Sequence, residues 1–168
     1  MINFAVVKRL ELLEGYLHGE GRVVEAVARE ISLSTGHVPQ LGTIDLHSWF
    51  GSPIRIENEN DQVAIENTRV GRFGGTKSRP TQHLGESQTL HVIQHFPEHS
   101  GSVWITDDGS AYKLGKGQGV LTRHTVDIFQ ELVVQGEISS HDAYELCEEM
   151  QNEGRSLLDP PASHRDFC

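Results

Sequence analysis

Cysteine is almost absent from this 168-residue chain. Cys147 and Cys168 are the only two, and their spacing matches neither a zinc site nor a redox pair, so neither a disulfide framework nor a thiol enzyme is indicated. Basic excess is lacking as well. Asp and Glu total 24 against 14 Lys and Arg, a net charge of −10, which argues against a generic nucleic-acid coat but leaves room for an enzyme with a local basic patch and metal ions. No apolar run approaches the roughly 20 residues that span a membrane, the N-terminus has no secretory pattern, and no Gly-rich phosphate loop follows a strand. These absences imply a soluble, cytoplasmic protein with no membrane partner. The length fits one domain over residues 1–168, large enough for a core.

The most informative feature present is the pair Asp107-Asp108. Val103 to Thr106 is a short β-branched and aromatic run that stops abruptly at these two acids, and Ser110 to Leu114 opens a helix. A strand that delivers acids to its C-terminal end places them where open α/β sheets bind ligands. Adjacent carboxylates repel, so a cation or hydrogen-bond donors must offset the cost. Two readings follow: part of a divalent-metal site, or an Asp serving as the N-cap of the next helix.

The order of segments alternates helices with short apolar strands. Met1 to Leu17 has helical spacing, and Arg22 to Val24 is a strand candidate before a helix from about Glu25 to Ile31 that carries Glu30. Residues 32–53, rich in Ser, Thr, Gly and Pro, read as an irregular insertion. Ile54 to Glu57 is a further strand candidate, and Asn60 or Asp61 can cap a helix that runs to about Val70. Residues 67–85 form a basic, acid-free region with Arg69, Arg72, Lys77 and Arg79. It is either a solubilising loop or a set of phosphate contacts. A helix from Gly85-Glu86 to Phe96 precedes the Asp107 strand, and Gly119 to Leu121 is the last strand candidate. Thr125 can cap a helix that ends at Gly136, and Ser139 with Asp142 resembles a capping box. The closing helix stops at Gly154 and leaves 155–168 as a tail. The pattern implies α/β architecture, a parallel sheet with helices on both faces.

Taken in this order, the chain resembles the PIN-domain nucleases, in particular the compact prokaryotic branch found among toxin–antitoxin and orphan proteins. Ile2-Asn3-Phe4-Ala5 with Arg9 to Leu13 is similar to that branch's first helix, and Val23 to Ile31 to its second strand and acid-bearing helix. Leu84-Gly85-Glu86 resembles the helix start with the third acid, and Ile105-Thr106-Asp107-Asp108 the fourth-acid motif. The resemblance implies a three-layer α/β/α fold with a central parallel sheet, and Mg²⁺ or Mn²⁺ held by Glu30, Glu86 and Asp108. Asp107 would be a second catalytic acid or a cap, and Thr106 and Ser110 would donate to a carboxylate or phosphate. Arg69, Arg72, Lys77 and Arg79 would bind substrate. The implied activity is endoribonuclease action on RNA, as a toxin with a cognate antitoxin protein or as an orphan relative, in a homodimer. Hard cations want such carboxylate oxygens, and phosphodiester hydrolysis needs a cation on a phosphate oxygen and an acidified water.

The departures from that family carry equal weight. Its first, central strand, with the first catalytic Asp, is missing ahead of Ile2, and Gln88 stands where many relatives have a Glu. The start lies upstream, or the protein is a catalytically degenerate member acting in protein or nucleic-acid interaction. A third reading, a phosphate- or nucleotide-binding module, lacks its loop. Without a central strand the sheet has an open apolar seam and low stability, unless the Val23 and Ile105 strands pair directly or a partner chain fills the gap. His91, His95 and His99 recur at spacings of four, which fits either a zinc stripe or a solvated helix face broken by Pro97. The Glu-rich last helix reads as a solvated face.

Overall fold

The computed structural model describes all 168 residues. The chain is mostly helical with a small parallel sheet, a mixed α/β arrangement. Nine α-helices occur: α1 (Ile2–Val6), α2 (Leu10–Leu17), α3 (Glu25–Ser34), α4 (Leu46–Phe50), α5 (Glu59–Gly71), α6 (Leu84–His95), α7 (Gly109–Gly117), α8 (Thr125–Gln135) and α9 (Ser140–Asn152). Strands β1 (Trp104–Ile105) and β2 (Thr122–Arg123) pair in parallel, Trp104 opposite Thr122, with α7 as the crossover. A separate parallel bridge joins Val24 to Ile54. The Val23 and Ile105 segments therefore do not pair with each other; each is bonded to a different neighbour. No helix is long and apolar enough to cross a membrane.

Several local expectations need correction. The first helix is two: Lys8 takes a left-handed φ of 55°, while Arg9 N–H donates to Phe4 C=O and Lys8 N–H to Ala5 C=O. These two bonds close α1 in a Schellman turn, here without the usual glycine. Residues 32–53 are not a structureless insertion. They hold a 3₁₀ turn at Pro39–Thr43 and α4, pinned by buried Leu41 and Phe50 and by Asp45, which accepts from His47 N–H and Ser48 N–H. Asn58, not Asn60 or Asp61, caps α5. The last strand falls at Thr122–Arg123 rather than Gly119 to Leu121. His124, not Thr125, caps α8, whereas the Ser139–Asp142 capping box and the left-handed Gly136 and Gly154 stops are present. Residues 155–168 are no free tail either. Leu157 and Phe167 are buried, and Ser163 caps a final 3₁₀ turn at His164–Phe167.

Apolar burial gathers in three clusters. The largest, around Phe4, Phe129 and Met150, joins α1, α2, α8, α9 and the C-terminal segment. Val24, Ile56, Ile65 and Val92 form a second, and Leu90, Trp104, Ala111 and Val120 a third that seats the sheet. Cys147 lies in the first cluster, and burial pushes its thiol up to about 12, which leaves it a small apolar filler.

The seat of α7 on the sheet depends on one glycine. A Cβ at Gly115 would stand 2.6 Å from Thr122 Oγ1 and 2.9 Å from Trp104 Cε3. Overpacking of this kind costs about 1–3 kcal/mol, against which alanine's better helix propensity returns up to about 1 kcal/mol. Gly115→Ala should therefore lower stability by about 1–2 kcal/mol in urea unfolding. An unchanged midpoint would mean that α7 can move off β1 and β2 without cost.

Candidate metal centre

Three side chains capable of metal ligation meet at the C-terminal end of β1. His83, Glu86 and Asp108 each offer one ligand atom, and these atoms all lie within 4.8 Å of one another, each residue being partly buried. It is the one such grouping of three or more in the chain. The local sequence explains the placement. His83 precedes α6 in a left-handed conformation, φ 60°, and its ring stacks on Phe73 at 5.7 Å. Glu86 lies in the first turn of α6, where the helix dipole favours a carboxylate. Asp108 follows the strand and caps α7, its Oδ1 accepting from Ala111 N–H at 2.7 Å. The capping and ligand readings of Asp108 are thus compatible: one oxygen caps, and the carboxylate still faces the cluster.

Glu30 completes the acidic environment from α3. Its carboxylate oxygens lie 3.5 Å from where a Gly85 Cβ would stand, so α3 and α6 approach closely because residue 85 has no side chain. Burial, then the charge of Glu86, pushes the Glu30 carboxyl above its usual range, with His83 opposing the shift. The ionised form is thus disfavoured in the fold. Stability is highest below the ordinary carboxylate pKa of 4.5 and is lost as pH rises through the raised folded value. Glu30→Gln should raise the melting temperature of the metal-free protein at pH 7 and leave it unchanged near pH 4. A drop at pH 7 would mean that the carboxylate is favourably paired.

The remaining expected site residues are spread between this cluster and other duties. Asp107 does not join it. Its carboxylate accepts from Thr125 N–H at 2.9 Å, Thr125 Oγ1 at 2.7 Å and Asn3 Nδ2 at 3.0 Å, which ties β1 to the starts of α1 and α8. Thr106 Oγ1 accepts from Asp108 N–H, and Ser110 is exposed one residue into α7. Arg69 is no surface phosphate contact. It is 1% exposed, and its guanidinium donates to Glu66 and to the carbonyls of Thr76, Arg79 and Gln82. Its role is to fold the loop that ends at His83. Arg72, Lys77 and Arg79 remain exposed on that loop. Gln88 accepts from Ala26 N–H and so supports the start of α3.

The histidine stripe forms no such site. His91 is buried rather than on a solvated face, with Nε2 3.1 Å from Asp61 Oδ1 but poorly aligned for a hydrogen bond. The His95 ring lies tilted against it, centroids 4.5 Å apart, and His99 leaves α6 on the 3₁₀ turn that begins at Pro97. The cluster member that the sequence pattern does not reveal is His83. Its one signal is its position three residues ahead of Glu86, at the end of a Gly- and Pro-containing loop.

No family model, no curated protein and no solved structure matches this chain.

Proposed function

We propose that this chain is a PIN-like, metal-dependent phosphodiesterase that cleaves RNA, as a toxin or an orphan relative. The observation that carries the reading is the convergence of His83, Glu86 and Asp108, from α6 and from the end of β1, with Glu30 alongside. Parallel pairing of β1 and β2 through α7, and the second parallel bridge at Val24, support the three-layer assignment.

The donor set fits a divalent cation: one imidazole nitrogen and two carboxylates. Mixed N/O ligation suits Mn²⁺ better than Mg²⁺, which prefers oxygen alone. What such an ion supplies in a nuclease is charge neutralisation at a phosphate oxygen and a more acidic attacking water. The residues supply the rest. Asp108 is held in place by its helix cap, and His83 by its stack on Phe73. Glu30, beside Gly85 at the start of α6, is placed to accept a proton from the attacking water.

The negative charge of the whole chain leaves phosphate binding to the exposed loop cations. Replacing Arg72 and Arg79 by Glu should weaken RNA binding at low salt and reduce its salt slope, by about 0.7 for each single-strand phosphate no longer neutralised. A slope that does not move would mark the loop as merely solubilising.

A degenerate, non-catalytic interaction protein is the second reading. It is favoured by Gln88, which replaces an acid and is spent on α3. Titration with Mn²⁺ separates the two, since the second reading predicts no specific binding.

A further inference from the structure

A half-open, largely apolar cavity of about 830 Å³ is lined both by β1 and by the Val24–Ile54 bridge. It lies between the three hydrophobic clusters: Leu13 and Leu17 belong to the first, Val24 and Val92 to the second, and Trp104 to the third. Protein interiors contain few voids larger than a water, whose share of liquid volume is about 30 Å³. This space is far larger than a packing defect, and its two long walls have a chemistry of their own.

Both walls are unpaired strand edges. On one, Trp104 N–H donates to Leu121 C=O and Thr106 N–H to Arg123 C=O, so the alternation of a strand turns the backbone groups of Val103 and Ile105 away from β2. Val103 N–H and C=O make no backbone hydrogen bond. On the other, Val23 C=O and Glu25 N–H bond to Ile54, which turns Val24 N–H and Arg22 C=O away from it, again without backbone partners. Arg22, Val24, Val103 and Ile105 all line the same cavity. Unpaired backbone groups beside an apolar void are a template for one more strand.

We propose that the slot binds an extended segment of another polypeptide by strand insertion between Val24 and Ile105. The inference goes beyond the metal reading and does not depend on it. The edges, residues 22–24 and 103–106, match a strand of about four residues at roughly 3.3 Å each. Helices α3 and α6 contribute Val27 and Ile93 to the lining and α2 contributes Leu17, so the insert meets apolar side chains from three helices. A strand covered on both faces must be a near-continuous run of Val, Ile or Leu. Glu20 in the lining and a net charge of −10 favour Lys or Arg beside that run. The folded surface exposes no run of that kind. Its exposed large hydrophobics, Leu33, Val63, Val70, Val103, Leu121 and Val134, are scattered singly.

The test uses the full chain and a synthetic peptide of five alternating valines and isoleucines flanked by lysines. The control is the same peptide N-methylated at alternate amides, which keeps the side chains and removes the donors. Amide hydrogen exchange is read at Val24, Val103 and Ile105. With the unmodified peptide at about ten times its dissociation constant, exchange at these amides should slow about tenfold, and the melting temperature should rise. The methylated peptide should produce neither effect. Equal protection by both peptides would reduce the binding to non-specific apolar contact and overturn strand insertion. Absence of protection by either peptide would also overturn it. So would slow exchange at all three amides before any peptide is added, because the edges would then be covered by the chain itself or by a second copy.

Discussion

Asp108→Asn should leave the fold intact and weaken Mn²⁺ binding by at least the roughly 10–100-fold that loss of even an outer-sphere partner costs at a metal site. The reason is the double duty of this side chain. As the N-cap of α7 it accepts from Ala111 N–H at 2.7 Å, and Asn caps a helix about as well as Asp. As a candidate ligand beside His83 and Glu86 it contributes a negative charge that Asn cannot supply. The substitution therefore separates the two roles. Isothermal titration with Mn²⁺, paired with thermal melting in the absence of metal, should show affinity lost and stability retained. Glu86→Gln should lower affinity similarly. If Asp108→Asn bound Mn²⁺ as tightly as the parent, the cluster would be no ion site.

Asp107→Ala should do the reverse. Its carboxylate receives three hydrogen bonds, from Thr125 N–H, Thr125 Oγ1 and Asn3 Nδ2. Asn3 and Thr125 are each 1% exposed and would lose a partner without gaining water. The disturbance passes further, because Arg155 Nε donates to Asn3 Oδ1 and so fastens the segment after α9 to the same knot. Bonds to a charged acceptor contribute about 1.5–3 kcal/mol each, and bonds that share one carboxylate do not add fully. A loss of about 3 kcal/mol is expected, or a fall in melting temperature of roughly 6–12 °C for a chain of this size. Mn²⁺ affinity of the folded fraction should be unchanged. A stable Asp107→Ala protein with weakened Mn²⁺ binding would exchange the roles of the two adjacent acids.

The contrast between Asp107 and Asp108 marks the limit of the sequence. That two acids follow a buried strand is visible in the residue order. Which of them faces the metal cluster and which faces α8 is not, because the answer depends on Thr125 and Asn3, more than a dozen residues away on one side and more than a hundred on the other. Helix ends with self-contained chemistry are legible: the Ser139 box and the left-handed Gly136 and Gly154 are local devices. The turn at Lys8 is not, since its closure uses a residue that seldom adopts a left-handed conformation. Arg69 misleads for a related reason. A basic residue among other basic residues looks solvated, and only the fold of residues 72–82 back over it reveals three carbonyls waiting for its guanidinium. His83 carries no motif of its own, and its part in the cluster follows from the close approach of α6 to the end of β1.

Cleavage of a labelled single-stranded RNA by the parent chain and by Asp108→Asn, at equal folded concentration and with Mn²⁺ added or chelated, decides whether the cluster is a catalytic metal centre. The parent should cut only with the metal present, chelation should stop it, and Asp108→Asn should be inactive while melting like the parent. Cleavage by Asp108→Asn at the parent rate, or no metal-dependent cleavage by a parent chain that is folded, would contradict that assignment.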